Sequence, residues 1–487
     1  MTAKCVMVLG TTSGAGKSWL TTALCRWYAQ RGYKVAPFKA QNMSNNARVV
    51  AGLNGSYGEI GSAQYFQALA ATAVPDVRMN PVLLKPEADT HSQVVLLGQV
   101  SAELTAMPWR TRSEHVWPAI AQSLDALRAE YDVVVIEGAG SPAEINLHSS
   151  DVVNMRVARY AQARCLLVTD IDRGGAFAHL YGTWALLPAD EQALIAGFVL
   201  NKFRGDAALL APAPQMLQER TGIPTVATLP MWWNHGLPEE DGVFDDRSRA
   251  SGQVHTTIAV VAYPRISNLD EFQALTNIDG VRLVWARSPA DLAQADWIIL
   301  PGSKHTSSDL AWLRATKIDA SIAAHAARGG RVLGICGGLQ MLGEALIDPY
   351  GIDGNAPGLG LLPLVTQFEE TKTVRHTTAQ FDPLCGAWAA LSKVRFKGYE
   401  IHHGVTAVRG DLFAGSTQPT AVLPPELAWQ NAQGNVLGLY VHGLFEDASV
   451  LQALFGASAP TLESVFDGLA QFIDAHFAPD TLQQLIA

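Results

Sequence analysis

The sequence predicts two consecutive α/β domains, each built on a doubly wound, mostly parallel sheet. Three observations support this fold class. The 487 residues are too many for one hydrophobic core. Short apolar runs alternate with helical segments in both halves of the chain, which is typical of βαβ units. Most of these runs are continuously apolar, as parallel strands covered on both faces should be.

The apolar runs and one polar stretch set the predicted domain boundaries. We expect a first domain over residues 1–230, a linker over 231–255, a second domain over 256–450 and a C-terminal helical segment over 451–487. The candidate strands are 4–9, 34–38, 132–136, 164–169, 196–201, 224–229, 257–262, 281–285, 297–300, 331–335 and 436–441.

Composition and charge exclude several classes of protein. A net charge of −10 with no basic block argues against nucleic acid as a partner. The five cysteines are scattered, with no CxxC, which favours a reducing compartment over disulfides or structural zinc. No signal peptide is recognisable, and no apolar run approaches the roughly 18 residues of a membrane span. We therefore expect a cytoplasmic protein that binds no membrane.

The first strand leads into the string GTTSGAGKS, which ends at Ser18. Gly14 and Gly16 permit close backbone approach to phosphates, Lys17 supplies a charge for the β- and γ-phosphates, and Ser18 a hydroxyl for magnesium. Thr11 occupies the usual first glycine position of a Walker A loop. The alternative is a glycine-rich turn without a ligand, but strand, loop, Lys-Ser pair and helix coincide. We predict an ATP site.

Glu137 ends another apolar strand, within VVVIEGAGSPAEINL. The carboxyl ends of parallel strands share one edge of a sheet, so Glu137 is expected near the phosphate loop. A carboxylate there can bind Mg²⁺ together with Ser18, directly or through water. The alternative is an acidic strand end that faces solvent.

Two further strand ends carry polar residues. Asp170 and Asp172 are candidates for metal or substrate positioning, and Arg173 for holding an anion. A helix N-cap is an equal alternative for Asp172. Asn201 is placed to hydrogen-bond a purine edge or, alternatively, to cap a turn.

The second series of strands carries a candidate nucleophile within GICGG. Cys336 lies in a cysteine version of the strand-to-helix nucleophile elbow, where the following helix favours the thiolate. The backbone N–H groups of Gly337 and Gly302 are candidate oxyanion donors. His442 ends another apolar strand and is the expected proton partner. Taken alone, Cys336 is more commonly a small buried hydrophobic residue, and the alternative for His442 is a structural histidine. Their joint placement at strand ends favours catalysis.

Longer strings resemble a known family. GICGGLQMLG with YVHG is similar to class I glutamine amidotransferase domains of the cobyrinate type, and the first half resembles dethiobiotin synthetase-like ATPases. FKAQNMSNNA, MNPVLLKP, VIEGAGSPAEINL, TDIDRGGAFA and GYEIHHG together resemble the cobyric acid synthase family. The resemblance covers nearly the whole chain.

The resemblance implies a reaction and its residues. Members of that family amidate side chains b, d, e and g of adenosylcobyrinic acid a,c-diamide with ATP and glutamine. By resemblance, Cys336 and His442 release ammonia from glutamine, and the phosphate-loop residues with Glu137 handle MgATP. The residues expected on the substrate side are Asn42, Ser44, Asp170, Asp172, Arg173 and Tyr399. Because ammonia is mostly ammonium at neutral pH, we also expect a shielded path between the two centres.

One position departs from many class I amidotransferases, which carry a glutamate two residues after the histidine. Here that position is Leu444, and Glu446 is the nearest acidic candidate to orient His442. A Cys-His pair without a fixed carboxylate predicts weaker thiol activation.

Three alternatives to this function stay open at the level of sequence. The first is the sister enzyme that amidates positions a and c. The second is a MinD/ParA-like ATPase switch, which the missing early lysine of the loop and the second domain disfavour. The third is an amidotransferase fold used only for binding.

Overall fold

The structure is a computed structural model. It describes residues 2–88, 90–233, 235–238, 253–408, 419–457 and 460–487. Most of the predicted linker, residues 234 and 239–252, lies outside the described residues, so the proposed boundaries at 230 and 256 stay a prediction.

The described residues of the first half form twelve strands and nine α-helices. The strands are β1 Lys4–Gly10, β2 Val35–Phe38, β3 Gln41–Met43, β4 Ala47–Ala51, β5 Tyr57–Gly61, β6 Val82–Ala88, β7 His91–Leu96, β8 Gln99–Val100, β9 Val133–Glu137, β10 Arg164–Asp170, β11 Ile195–Phe203 and β12 Thr225–Pro230. The helices are α1 Lys17–Gln30, α2 Ser62–Ala70, α3 Ala102–Ala106, α4 Trp109–Glu130, α5 Met155–Ala161, α6 Ala176–Leu186, α7 Ala189–Gln192, α8 Ala207–Leu210 and α9 Pro212–Thr221.

Six of these strands form one parallel sheet in the order β12-β11-β10-β1-β9-β2. Strand β1 shows why both faces are covered. Its odd-numbered residues, such as Met7, pack against a cluster that includes Ile120 of α4, whereas Val6 and Val8 face a cluster that includes Leu24 of α1. Because successive side chains of a strand point to opposite faces, a continuously apolar strand needs helices on both sides. The predicted doubly wound sheet is confirmed.

The second half contains the remaining strands and helices of the described chain. The strands are β13 Thr256–Val261, β14 Ile266–Ser267, β15 Val281–Ala286, β16 Trp297–Leu300, β17 Gly302–Ser303, β18 Arg331–Ile335, β19 Ala345–Ile347, β20 Ala356–Pro357, β21 Val365–Gln380, β22 Arg395–Ala407, β23 Thr420–Leu423, β24 Ala428–Gln430 and β25 Val436–Leu439. The helices are α10 Gln273–Thr276, α11 Thr306–Ala315, α12 Ile318–Ala327, α13 Gly337–Leu342, α14 Ala448–Phe455, α15 Leu462–His476 and α16 Thr481–Gln484.

The second sheet has the order β15-β13-β16-β18-β25-β24-β23. Its first five strands are parallel, and β24 and β23 extend it in antiparallel fashion. Strands β18 and β25 are neighbours, with Ile335 opposite Leu439. This register brings the loops that follow both strands, with Cys336 and His442, to one edge of the sheet.

The C-terminal helices return to the first domain. Arg26 of α1 donates to Glu463 and Asp467 of α15, each at 2.7 Å. Tyr28 donates to the Leu482 carbonyl at 2.7 Å, and Phe466 is fully buried against the first sheet. The part of the predicted segment that contains α15 and α16 therefore belongs structurally to the first domain, whereas Leu451 at its start packs in the core of the second.

Charged groups are buried where the two domains meet. The Lys85 ammonium lies 2.6 Å from the Glu59 carboxylate, and Lys372 of the second domain contacts the same carboxylate. Lys304 reaches Glu87 at 2.7 Å. Among the described residues, no helix combines the length and apolar character needed to cross a membrane.

Candidate functional site

The phosphate loop lies between β1 and α1 and has the backbone that the sequence predicts. Gly14 and Gly16 have φ values of +72° and +100°, a region that favours glycine. A Cβ on Gly16 would lie 2.0 Å from the Asn201 side-chain nitrogen. Lys17 Nζ donates to the carbonyls of Thr12 and Gly140 at 3.1 and 3.3 Å, so it spans the loops after β1 and β9.

Glu137 is buried directly beside this loop and does not face solvent. Its Oε1 accepts from Ser18 Oγ at 2.9 Å and from Lys39 Nζ at 2.8 Å, and its Oε2 accepts from Gln67 at 2.5 Å. Burial favours the neutral acid, but Lys39 and these hydrogen bonds outweigh it and lower the pKa of Glu137. The group is therefore a carboxylate at neutral pH.

The next two strand ends are tied to the same loop. Asp170 Oδ2 lies 3.2 Å from Lys202 Nζ and 3.3 Å from Arg173 Nε. Asp172 accepts from Arg204 Nε at 2.7 Å. Helix α6 begins at Ala176 with Gly175 as its N-cap, so the alternative of an N-cap role for Asp172 is wrong.

Asn201 uses its amide on the phosphate loop. Its Nδ2 donates to the Ala15 carbonyl at 2.9 Å, and its Oδ1 accepts from the Lys202 N–H at 2.9 Å. The residue therefore braces the loop from β11, which is separated from β1 by β10 in the sheet; a contact with a purine stays a prediction.

These groups line a cavity of about 1060 Å³. All six residues predicted to bind the nucleotide line it, and so do Asn42, Asp170, Asp172 and Arg173. The described residues of its wall all lie between positions 13 and 238. Partly exposed apolar side chains, among them Met43, Trp109 and Leu147, contribute to the wall. The cavity can thus hold a charged ligand at the loop and an apolar one beside it.

Two predicted substrate-side residues lie elsewhere. Ser44 is buried and its hydroxyl accepts from the Asn46 N–H at 3.0 Å, which stabilises a local turn. Tyr399 is also buried; its ring stacks on that of His442 with centroids 5.3 Å apart, and its hydroxyl accepts from Asn268 at 2.9 Å. Neither is among the described residues that line the cavity. Tyr399 belongs to the thiol centre.

Cys336 occupies a tight turn between β18 and α13, as predicted. Its φ of +52° and ψ of −106° are strained for a residue with a Cβ. The flanking glycines are sterically required, because a Cβ on Gly334 would lie 2.7 Å from the Gly338 backbone and one on Gly338 would lie 1.9 Å from the Leu300 carbonyl. The turn presents the thiol within hydrogen-bonding reach of the Ile401 carbonyl, 3.5 Å away.

His442 lies between Cys336 and a carboxylate that the sequence analysis missed. Glu271 Oε1 lies 3.0 Å from His442 Nδ1, and Glu271 Oε2 accepts from the Gly443 N–H at 2.9 Å. Burial alone lowers the pKa of His442, but Glu271 and Cys336 outweigh it and raise that pKa to about 10. Since Cys336 helps to raise this pKa, it lies close to the imidazole. The three side chains form a Cys-His-Glu triad.

The predicted orienting role of Glu446 is therefore wrong. Glu446 accepts from Arg48 at 2.9 Å, and Glu271 holds the imidazole in its place. The expectation of a Cys-His pair without a fixed carboxylate is corrected by the same contact. Glu271 escaped the sequence analysis because it lies 171 residues before His442, in a short 3₁₀ helix over Leu269–Phe272 without a recognisable motif.

Both candidate oxyanion glycines adjoin this triad. A Cβ on Gly302 would lie 3.0 Å from His442 Cε1, and one on Gly337 would lie 2.8 Å from the Ser303 nitrogen. The backbone of β17 therefore passes directly over the elbow, where two N–H donors can converge.

Other contacts around the phosphate loop were also missed. Lys39 and Gln67 hold Glu137, and Asn154 clamps the following loop through both atoms of its amide, with Ala139 as partner. Lys39 lies in the string FKAQNMSNNA, which offered a signal. Gln67 and Asn154 reach the centre from α2 and from the start of α5, and no spacing in the sequence indicates this.

Comparison with known proteins agrees with this geometry. A family described as "CobQ/CobB/MinD/ParA nucleotide binding domain" matches residues 6–239, and one described as "CobB/CobQ-like glutamine amidotransferase domain" matches residues 257–450. A cobyric acid synthase of Variovorax paradoxus (strain S110) is 77% identical over 487 residues, with both chains fully covered. The chain belongs to the cobyric acid synthase family. This membership confirms the resemblance and the fold class predicted from the sequence.

Two further members of the cobyric acid synthase family are also similar over the full length of this chain. The enzyme of Acidovorax ebreus (strain TPSY) is 76% identical and that of Methylibium petroleiphilum 65% identical; each is covered to 97% or more and covers this whole chain. The prediction of a glutamine-using, ATP-dependent ligase is confirmed at the level of this family.

Solved structures are more distant. One described as a crystal structure of glutamine amidotransferase is 17% identical, covers 44% of this chain and 98% of its own, and has a TM-score of 0.30. PurLQS from Thermotoga maritima is 21% identical, with 41% and 98% coverage and a TM-score of 0.31. At these TM-scores the likeness carries no weight for function.

Proposed function

We propose that the protein converts adenosylcobyrinic acid a,c-diamide to adenosylcobyric acid by amidating the carboxylates at positions b, d, e and g. Each step consumes ATP and glutamine and yields ADP, phosphate and glutamate. The observation that carries the proposal is full-length identity of 65–77% to cobyric acid synthases, combined with a phosphate-loop cavity and a thiol triad in one chain.

The thiol centre supplies the nitrogen. Cys336 attacks the side-chain amide carbon of glutamine, and the imidazolium of His442 donates a proton to the leaving nitrogen, so that ammonia and a glutamyl thioester form. Glu271 keeps the imidazole oriented and charged. The backbone at Gly302 and Gly337 stabilises the oxyanion. Water then attacks the thioester, releases glutamate and restores the thiol centre.

The cavity activates the acceptor. A carboxylate is a poor acyl donor because it has no good leaving group, so transfer of the γ-phosphoryl group to one of its oxygens creates a leaving group that ammonia can displace. Gly14, Gly16 and Lys17 would hold the phosphates. The Ser18 hydroxyl and the Glu137 carboxylate, 2.9 Å apart, are oxygen ligands that suit Mg²⁺, which would neutralise charge on the β- and γ-phosphates.

The order of the strands in the first sheet supports a placement of ATP and the corrin at opposite ends of the cavity. Asn201 lies in β11, on one side of β1 and the phosphate loop, whereas Glu137 ends β9 and Lys39 follows β2 on the other side. The purine therefore belongs near Asn201. The corrin belongs beyond Lys39, where Asn42, Met43 and Trp109 offer polar and apolar contacts.

Two elements run between the centres and support a shielded ammonia path. Strand β3, which includes Asn42 on the cavity wall, pairs with β6, and Glu87 near the end of β6 contacts Lys304, next to Ser303 at the elbow. We propose that ammonia passes along this β3–β6 contact with the second domain. External ammonium that competes equally with glutamine at neutral pH would contradict it.

Mass spectrometry of the products tests the proposed function. The a,c-diamide incubated with ATP, Mg²⁺ and glutamine should show successive single-amidation mass steps that stop at four. The sister activity predicts instead that cobyrinic acid is accepted and amidated twice. A MinD/ParA-like switch predicts ATP hydrolysis without amidation of either corrin.

The state of the cysteines bears on cellular location. All five cysteines are free, and four of them are buried. We propose a cytoplasmic enzyme, because free thiols persist in a reducing compartment.

A further inference from the structure

Two short segments, one from each domain, are joined by buried hydrogen bonds. The Leu269 N–H donates to Asn46 Oδ1 at 3.0 Å, and Asn268 Nδ2 donates to the Ala47 carbonyl at 2.7 Å. Asn268 adopts a left-handed φ of +56° at the start of the 3₁₀ helix Leu269–Phe272. Residues of the first domain therefore hold this turn of the second domain in its conformation.

Arg48 adds charge to the same contact. Its guanidinium is 2% exposed, contacts the Asp270 carboxylate, and donates to both oxygens of Glu446 at 2.9 and 2.5 Å. The rings of Phe66 and Tyr399 lie 4.9 and 5.0 Å from its central carbon. Because the planar guanidinium is enclosed on its faces and engaged at its edge, its position is fixed.

Both carboxylates of this cluster flank catalytic groups. Asp270 immediately precedes Glu271, whose two oxygens hold His442 and the Gly443 N–H. Glu446 ends the 3₁₀ helix Leu444–Glu446, which begins two residues after His442. Arg48 thus links the segment that holds the orienting carboxylate to the segment that follows the histidine.

We propose that Arg48, a residue of the ATP domain, is a positioning residue of the thiol centre. By fixing Asp270 and Glu446 it sets the orientation of Glu271 and His442 towards Cys336. This inference rests on the proposed function, since it assumes that the thiol centre hydrolyses glutamine. It means that the triad is complete only when the two domains are docked, so that ammonia is released next to its consumer.

The pH dependence of glutamine hydrolysis reports on this geometry, because the imidazolium persists only while its carboxylate partner is in place. The titratable and charged groups that face the triad and its supporting turn include Cys336, His442, Glu271, Asp270, Glu446, Arg48, Tyr399, Tyr440, Tyr65, Tyr263 and Asp309.

The test uses the full-length enzyme and three variants. Arg48→Gln removes the positive charge. Arg48→Lys keeps the charge but lacks the planar guanidinium that donates to both oxygens of Glu446. Arg26→Gln is the matched control, since Arg26 also bridges two carboxylates but lies between α1 and α15. Glutamate release gives kcat and KM across pH, and amidation with ammonium chloride reports on the ATP domain independently of the thiol.

The expected result is a selective loss. Arg48→Gln lowers kcat for glutamine hydrolysis about 10- to 100-fold and moves the alkaline limb of kcat/KM to lower pH, with ammonium-dependent amidation kept within about twofold of the wild type. The kcat of Arg48→Lys lies between those of the wild type and Arg48→Gln, and Arg26→Gln behaves as the wild type. Arg48→Gln with wild-type kcat and an unmoved alkaline limb would overturn the inference.

Two further outcomes are decided by added measurements. If Arg48→Gln also loses ammonium-dependent amidation, the fold has failed, and Asp270→Asn and Glu446→Gln are measured in its place. The same selective loss in these variants supports the inference, and wild-type behaviour of both overturns it. A wild-type enzyme without glutamine hydrolysis contradicts the proposed function itself.

Discussion

The two centres use the same fold principle and differ in how they treat solvent. Both lie where loops leave the carboxyl ends of parallel strands. The ATP centre opens into a cavity of about 1060 Å³, whereas the triad is closed, with Cys336 6%, His442 1% and Glu271 0% exposed. A corrin that is amidated at several positions must enter in several orientations. Glutamine is small, and the ammonia taken from it must stay neutral, so enclosure suits the second centre.

Charge is also arranged differently. At the ATP centre a carboxylate, Glu137, is held by the cation Lys39 and three neutral donors. At the thiol centre a cation, the His442 imidazolium, lies between Glu271 and Cys336. The first arrangement keeps a buried anion beside the phosphate loop, and the second keeps a proton on the imidazole beside the thiol. The comparison predicts that each centre can be disabled separately.

The largest effect is expected from Cys336→Ser. Without the sulfur nucleophile, glutamine hydrolysis and glutamine-dependent amidation should fall at least about 10⁴-fold. Amidation with ammonium chloride, assayed at a pH where free ammonia is abundant, should stay near wild type. Parallel assays of glutamate and amidated corrin measure both. Full retention of glutamine-dependent amidation would favour a domain used only for binding and would remove the comparison.

The reciprocal change is Lys17→Gln in the phosphate loop. Loss of this cation should lower amidation about 10²- to 10³-fold with either nitrogen source, because the phosphoryl group loses its charge stabilisation. Glutamate release by the thiol centre should persist, and Cys336→Ser is the matched control with the opposite pattern. If the variant lost amidation with glutamine but kept it with ammonium chloride, Lys17 would not serve phosphoryl transfer.

Glu271→Gln sharpens the assignment of the triad. We expect kcat for glutamine hydrolysis to fall about 10²- to 10⁴-fold, because the imidazole loses its orienting charge. The pKa of His442 is raised to about 10 in the wild type, so the alkaline limb of kcat/KM should lie near that pH and move lower in the variant. Glu446→Gln leaves the direct partner of His442 in place and should cost less.

The His442 imidazole also links pH to the free energy of unfolding. Its pKa in the folded protein exceeds the ordinary value of 6.5. Its contribution to folding is therefore fully present below pH 6.5 and is lost as the pH rises through about 10. Thermal unfolding of the wild type and Glu271→Gln from pH 6 to 10 measures this. If the melting temperature changed equally with pH in the wild type and in Glu271→Gln, Glu271 would not be the group that raises the pKa of His442.

Phe466→Ala is expected to change turnover least at ordinary temperature. Phe466 of α15 is fully buried against the first sheet, so truncation should cost about 3–5 kcal/mol of unfolding free energy in that domain. Denaturant unfolding is monitored through ATP-analogue binding for the first domain and through glutamine hydrolysis for the second, so the stability of each domain is measured separately. Gln483→Ala at an exposed position is the control. Earlier loss of the thiol centre would contradict the docking of α15 on the first domain.

Much of this protein could be predicted from local sequence. Apolar runs bounded by glycine define the strands, and the close backbone approaches at Gly16, Gly334 and Gly338 leave a signature because only glycine fits. Lys17, Ser18, Glu137, Cys336 and His442 were predicted because each follows such a run, and parallel strands align their carboxyl ends at one edge.

Only the tertiary structure decided which distant side chains complete those centres. Glu271, Gln67 and Arg48 sit in segments with no periodic or motif signal, and their roles arise from how loops and domains dock. The return of α15 to the first domain and the place of Tyr399 behind His442 have the same origin. Backbone geometry is encoded by neighbouring residues, whereas the partner of a buried charge is selected by packing in three dimensions.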